Sequence, residues 1–358
     1  MNESFNRLAQ RKNNPRISID IALTTRCLLS CRYCTVAKKS TSELKAEHWR
    51  EIIRSLAALR TIDLISLEGG EPFCREDLAP IIETSLQYAH KVKVVTSGSL
   101  PCRLPQSLVA NPRFSMEVSL DGPVPLHNFL RDGSHSSAWN FLRGCLQRGN
   151  RAHFRSVISR HNLLFYEAWL KETDRAFDRL GEKVGFFFDT IIAPLSLSQE
   201  GGSMPRAAVR NYPAKGLIPT PIEIWDLFWR VRKQRFASLV FLQDEPIRGC
   251  RAARSPFISF DPSGVYSFCC ESPKGWGTIL EDSPQVILGR MDEAGKNLPC
   301  RLCPYLRDRL CSGCWTGQKC GLVGHWGFSD CRALISGMIH QAHKVGETQP
   351  AAGGWATS

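Results

Sequence analysis

The chain has no run approaching the roughly 18 consecutive apolar residues of a membrane-spanning helix, which excludes a helical integral membrane protein. It does not open on a signal peptide either, since Met1, Asn2, Glu3 and Ser4 are polar; the expected setting is cytoplasmic. A long tract of one charge is also missing. The net charge of +12 is scattered over sites such as Arg11-Lys12, Lys38-Lys39, Arg230 to Arg235 and Arg301 to Arg309. This reads as a generally basic surface, or else one suited to an acidic peptide or a phosphate-bearing substrate, with no membrane and no nucleic-acid partner.

What the chain does have is cysteine, 15 residues in 358. In a reducing cytosol such a count points to metal rather than to disulfides. With 43% hydrophobic residues, the chain can bury a substantial core, and one barrel-sized domain with a smaller appendage is expected.

Cys27, Cys31 and Cys34 form a CxxxCxxC triplet, with Tyr33 before the last, directly after an apolar β-branched segment. Three thiolates on one short loop can hold three corners of a cubane iron–sulfur cluster and leave the fourth iron open. A structural zinc site closes with four protein ligands, and no further Cys or His follows closely on Cys34. Further on, Leu67-Glu68-Gly69-Gly70-Glu71-Pro72 follows a second apolar run. Two adjacent glycines let backbone approach a ligand closely, and Glu71 could accept from an ammonium.

Short β-branched runs alternate with helix-like segments, the pattern of a parallel α/β fold. Strands are expected over 16–24, 62–67, 91–96, 114–120, 153–159 and 184–192, and helices over 42–59, capped by Thr41 or Ser42, and over 76–89, 137–148 and 165–180. In α/β barrels the chemistry sits at the carboxyl ends of strands, where both motifs fall.

The triplet and the Gly-Gly-Glu-Pro segment together resemble the signatures of the radical S-adenosylmethionine (SAM) superfamily. That resemblance implies a partial (β/α)6 barrel of TIM type over 16–193, a 4Fe–4S cluster on Cys27, Cys31 and Cys34 with Tyr33 beside it, and SAM held through its amino group by Gly69, Gly70, Glu71 and Pro72. Val118-Ser119-Leu120-Asp121-Gly122-Pro123, followed by His127 and Arg131, resembles the family's fourth-strand segment. Ser119 and Asp121 are candidates for the SAM ribose or the substrate; alternatively Asp121-Gly122-Pro123 is a turn and His127 a helix cap. Ser156, Ser159 and Asn162 stand where the family often contacts SAM, although such residues also satisfy loop backbone.

Residues 194–245, rich in Ser, Gly and Pro at first, read as a linking loop and helix, the loop being either a lid or disordered. Over 246–340, Cys250, a hairpin with Gly264, Cys269, and then Cys300, Cys303, Cys311, Cys314, Cys320 and Cys331 resemble a SPASM extension with one or two auxiliary 4Fe–4S clusters. The gap after Cys303 departs from the usual spacing, so the ligand sets stay open. By analogy Cys250, Cys269, Cys314 and Cys320 serve an inner cluster and Cys300, Cys303, Cys311 and Cys331 an outer one. Cys270 is then surplus, a hydrogen-atom donor or a spectator thiol. On spacing alone the two CxxC pairs would equally suit zinc. Cys74, Cys102 and Cys145 read as isolated buried thiols, and residues 1–15 and 341–358 as tails.

The resemblance implies an oxidoreductase that cleaves SAM reductively to a 5′-deoxyadenosyl radical and abstracts hydrogen from an unactivated C–H bond. Maturation of a ribosomally made peptide or protein ranks first, and a small-molecule dehydrogenase or epimerase (aminosugar, nucleoside or tetrapyrrole) second. A flavodoxin- or ferredoxin-type electron donor is implied. Because the first strand begins near Arg16, a separate peptide-recognition protein is expected.

Overall fold

A computed structural model describes residues 15–34, 36, 42–190, 219, 221–243, 256–268 and 275–296. Its centre is a sheet of six parallel strands in chain order: β1 (Arg16–Thr24), β2 (Thr61–Gly69), β3 (Ala89–Thr96), β4 (Phe114–Ser119), β5 (His153–Ile158) and β6 (Val184–Thr190). The helices between them are α1 (Ala46–Leu59), α2 (Leu78–Tyr88), α3 (Gln106–Val109), α4 (Val124–Leu130), α5 (His135–Gln147) and α6 (Tyr166–Arg179). This is the expected α/β architecture, with strand bounds shifted by only a residue or two.

Strand alternation explains the layering. Ile17, Ile19, Ile21 and Leu23 on β1 are buried, as are Val92 and Val94 on β3 and Phe114, Met116 and Val118 on β4. Each set is spaced by two and therefore faces one way, toward the helical layer. On α1 the stripe Trp49, Ile52, Ile53, Leu56 and Ala57 is buried at helical spacing. At the β5–β6 end of the sheet Phe154 stacks on Phe186 at 5.4 Å and Phe186 on Phe241 at 5.0 Å between centroids.

Two features depart from expectation. Helix α1 begins at Ala46, without a capping side chain on its N-cap residue Lys45. The preceding residues are drawn elsewhere: Leu44 N–H donates to Pro262 O at 2.9 Å, and Glu43 accepts from Thr24 Oγ1 at 2.5 Å. The Ala46 amide is served from outside the helix by Asp77 Oδ2 at 3.1 Å. Ser42 therefore caps nothing, and Thr41 lies outside the described residues.

Beyond β6 the sheet continues. Helix α7 (Pro221–Lys233) leads to β7 (Leu239–Phe241), parallel to β6, and β8 (Phe257–Phe260) returns to pair in parallel with β1. Then β9 (Val265–Ser267) and β10 (Gly277–Thr278) add antiparallel strands, and α8 (Pro284–Lys296) follows. The hairpin around Gly264 thus forms as expected, but as an edge of the barrel sheet. Its φ of +87° explains the glycine. Among the described residues no strand pairing joins the β7 and β10 edges, so the barrel is open.

Candidate functional site at the carboxyl ends of the strands

The ends of β1 and β2 are bonded to each other. Gly70 N–H donates to Thr24 O at 2.7 Å and Glu71 N–H to Arg26 O at 2.8 Å. A side chain at either glycine would collide with this neighbour: a Cβ on Gly70 would lie 2.3 Å from Arg26 O, and one on Gly69, whose φ is +126°, 2.5 Å from Thr24 O. The two glycines are therefore required by the close approach of the loop that carries the cysteines.

Glu71 is fully buried, and its carboxylate is occupied within the protein. Oε1 accepts from Thr96 Oγ1 at 2.8 Å and Phe73 N–H at 3.2 Å; Oε2 accepts from Ser97 N–H at 2.8 Å and Ser97 Oγ at 2.5 Å. It fixes the end of β3 to the 3-10 turn Pro72–Cys74, and the free ammonium acceptor expected of it is not what this carboxylate offers. Pro72 is buried at the start of that turn.

The cysteine loop is fastened to α4 and the turn behind it. Arg32 N–H and Nε donate to Leu130 O and Phe129 O, each at 2.9 Å, and the Arg32 guanidinium lies 4.0 Å from the Phe129 ring centre. Ser30 N–H donates to Asp132 Oδ2 at 3.0 Å. Tyr33 donates its phenol proton to Asp121. Asp121 has no exposed surface and also accepts from Arg131 Nε at 2.6 Å and Val157 N–H at 2.8 Å. Its backbone N–H donates to His127 Nδ1 at 3.2 Å, and Asn162 Nδ2 donates to its carbonyl at 2.8 Å.

Asp121 is thus a buried hub joining the cysteine loop to the ends of β4 and β5. Burial lowers the affinity of Arg131 for its proton, but Asp121, together with Tyr33 and Cys31, outweighs it and the net shift is upward. Tyr33 is raised by burial and then by Asp121, so it stays a phenol that donates. His127 is pushed down to about 3, chiefly by burial. It is neutral, accepting at Nδ1, and its Nε2 pairs with Ser134 Oγ at 3.0 Å; it sits within α4 and caps no helix end.

Ser119 is buried at the end of β4. Ser159 N–H donates to Asn162 Oδ1 at 2.7 Å, while Ser159 Oγ accepts from His161 N–H at 3.2 Å. Ser156 Oγ donates to Leu120 O and accepts from Tyr166 OH at 2.9 Å. Ser156, Ser159 and Asn162 therefore satisfy the backbone of the strand ends.

Cys27 and Cys31 are half-buried and Cys34 is exposed. Burial pushes the Cys31 thiol up to about 11, with Cys34 and Cys27 close enough to add to the rise. Among the described residues no three Cys, His, Asp or Glu side chains are gathered into a metal-binding group. The donor set nevertheless fits a cluster: three soft sulfurs on one anchored loop, near enough to feel each other's charge, in surroundings where a thiolate needs a cation. Cys74, expected to be isolated, is half-buried at the end of the 3-10 turn, within electrostatic reach of Cys27.

One further set of residues carries no fixed motif. The strand face opposite the helices carries Asp20, Ser66, Glu68, Lys93, Glu117, His153, Arg155 and Asp189. Glu117, 1% exposed, accepts from Lys93 Nζ at 2.7 Å, His153 Nε2 at 3.3 Å and Arg155 Nη1 at 3.3 Å; Arg155 Nη2 pairs with Asp189 at 2.6 Å. Asp20 is raised well above the usual carboxylate range by burial and by Glu68. The signal was a charge framed by apolar neighbours in several strands, as in Ile19-Asp20-Ile21, Val92-Lys93-Val94 and Met116-Glu117-Val118. Cys250, Cys269, Cys270, Cys300, Cys303, Cys311, Cys314, Cys320 and Cys331 lie outside the described residues.

Residues 21–167 match the family model of the Radical SAM superfamily, so this stretch is a radical SAM domain. The S-adenosylmethionine-dependent nucleotide dehydratase of Selenomonas ruminantium is 30% identical over 111 residues, 30% of this chain and 40% of that protein. The pre-heme d1 synthase of Dinoroseobacter shibae is 26% identical over 157 residues, 42% of this chain and 39% of that one. The PqqA peptide cyclase of Granulibacter bethesdensis is 33% identical over 89 residues, 24% of each. The chain thus spans two fifths or less of the length of these relatives. Among solved structures, anSMEcpe with bound AdoMet superposes with a TM-score of 0.63 at 14% identity, covering 94% of this chain and 96% of that one. Streptococcus suis SuiB bound to S-adenosylmethionine gives 0.61 at 14% identity, covering 88% and 76%. At this identity the likeness is one of fold.

Proposed function

We propose that this protein is an oxidoreductase that cleaves SAM reductively and modifies a peptide or protein at an unactivated C–H bond. The observation that carries this reading is the junction of the two motifs: the cysteine loop and the Gly69-Gly70 segment are bonded at the mouth of a barrel whose inner face is polar. Cys27, Cys31 and Cys34 would hold a 4Fe–4S cluster. Bound there, such a cluster would supply the electron that reductive cleavage of SAM requires.

The chain's own residues bind and orient. Because the Glu71 carboxylate is saturated, the SAM ammonium is received by backbone carbonyls of Gly69 and Gly70, which Glu71 holds in place. Asp121 and Arg131 fix Tyr33 and with it the cysteine loop. Ser119, at the end of β4, faces the ribose side. The lumen charges from Asp20 to Asp189 orient the substrate.

The peptide reading draws support from two neighbours in fold, SuiB bound to the precursor peptide SuiA and anSMEcpe with a bound peptide. In this reading eight of the nine cysteines from Cys250 to Cys331 hold auxiliary clusters in a SPASM-like region, Cys270 being the surplus thiol, and a flavodoxin- or ferredoxin-type protein delivers electrons. A small-molecule substrate is the second reading, favoured by the nucleotide dehydratase and pre-heme d1 synthase among the relatives in sequence.

Adding size fractions of native-host extract to the anaerobically reconstituted, reduced enzyme separates the two. Stimulation of 5′-deoxyadenosine release by a large, protease-sensitive fraction is the expected result. Stimulation confined to the small fraction overturns the peptide reading.

A further inference from the structure

A cleft of about 380 Å³ runs between the segment after β3 and one face of α5. The helix contributes Ser137, Phe141, Gly144 and Cys145, residues three and four apart, and the opposite wall ends at Cys102. Cys102 and Cys145 are therefore not the isolated thiols that the sequence suggests. Both line this one cleft, near enough for each to shift the titration of the other. Cys145 is buried, whereas Cys102 keeps partial access to solvent.

The Arg148 guanidinium lines the same cleft and, with the Leu104 backbone N–H, favours the Cys102 thiolate. Arg148 is fixed for that task. Its Nη2 donates to Leu104 O at 2.8 Å, its Nη1 to Cys102 O at 3.4 Å, and its Nε to Gln106 Oε1 at 3.0 Å. A cation beside one half-exposed sulfur favours its thiolate, and a second thiol in the same cleft is placed to resolve whatever that thiolate attacks.

We propose that Cys102 and Cys145 form a thiol–disulfide exchange site whose substrate is a low-molecular-weight disulfide of the glutathione type. The Cys102 thiolate attacks one sulfur of the disulfide, forming a mixed disulfide and releasing one thiolate. Cys145 gives up its proton and attacks the Cys102 sulfur, so that the Cys102–Cys145 bond forms and the second thiolate leaves. In sum two protein thiols are oxidised, one external disulfide is reduced, and two small thiols are produced. Consistent with this order, the contact with Cys145 together with Leu104 and Arg148 holds Cys102 down to about 6, while the same contact and burial push Cys145 upward. The site is independent of the SAM reading.

The test is peptide mapping of the full chain, with its clusters in place, after anaerobic incubation with glutathione disulfide and acid quenching. The expected product is a peptide pair linked through Cys102 and Cys145, reversed by dithiothreitol and formed before Cys74 reacts. In Cys145→Ser, whose hydroxyl cannot resolve, the reaction should stop at the glutathione adduct on Cys102. In the untreated wild type, iodoacetamide at pH 7 should label Cys102 at least about threefold faster than Cys74, thiolate fraction outweighing weaker intrinsic nucleophilicity. The proposal is overturned if Cys102 stays unmodified while Cys74 reacts, if the wild type accumulates the adduct without the cross-link, or if Cys102 labels no faster than Cys74.

Discussion

Asp121 carries more of the site's geometry than any other side chain, because it is the one anion shared by Tyr33 of the cysteine loop, Arg131 and the end of β5. Asp121→Asn keeps the shape but leaves the buried Arg131 without its counter-charge, at an expected cost of about 3–5 kcal/mol. Urea denaturation of the folded protein reads this directly, and an unchanged midpoint would contradict the role. Gly70→Ala forces a Cβ against Arg26 O; SAM binding measured by equilibrium dialysis should fall at least tenfold, about 1.4 kcal/mol. Retained affinity would mean that the loops part without loss. His127 gives a pH signature. Its folded value of about 3 lies below its ordinary 6.5, so the unfolded chain takes up a proton that the folded one refuses. Stability is greatest above pH 6.5 and declines as the pH falls from there toward 3, with His135 adding in the same direction. Thermal melts between pH 7 and 4.5 should slope accordingly and flatten in His127→Gln; equal slopes would contradict the assignment. The triplet and Gly69-Gly70 were legible in sequence because a spacing encodes them. The saturation of Glu71 was not, since Thr96 and Ser97 reach it only once β3 lies beside β2.

At the scale of elements, strand alternation was readable because a two-residue period survives any tertiary context, and β1 falls on the expected residues Arg16–Thr24. Helix starts were harder. Ser42 has the chemistry of a cap, yet Glu43 and Leu44 are held by Thr24 and Pro262, and the helix begins where Asp77 reaches its first amide. Asp77→Ala removes that partner and part of the pairing of the buried Arg75, at an expected cost of about 2 kcal/mol. An equilibrium unfolding curve coincident with wild type would show that α1 needs no external partner. The return of β8 to the β1 edge was equally hidden, because nothing local marks which edge a distant strand will join. The polar inner face, by contrast, was written in the sequence as charges between apolar neighbours, but it lacks a fixed motif.

For the molecule as a whole, a parallel sheet with helices over one face and paired charges on the other supplies a rigid frame, and both loops with family signatures sit at one end of it. Among the described residues no helix is long and apolar enough to cross a membrane. The central claim is that Cys27, Cys31 and Cys34 equip this frame to cleave SAM. Its most direct test is 5′-deoxyadenosine release under anaerobic reduction, after iron–sulfur reconstitution, by the wild type and by the Cys27→Ala, Cys31→Ala, Cys34→Ala triple variant side by side. The account predicts release by the wild type and none above background from the variant. Equal release from both, or none from a wild type shown to carry its cluster, would contradict it.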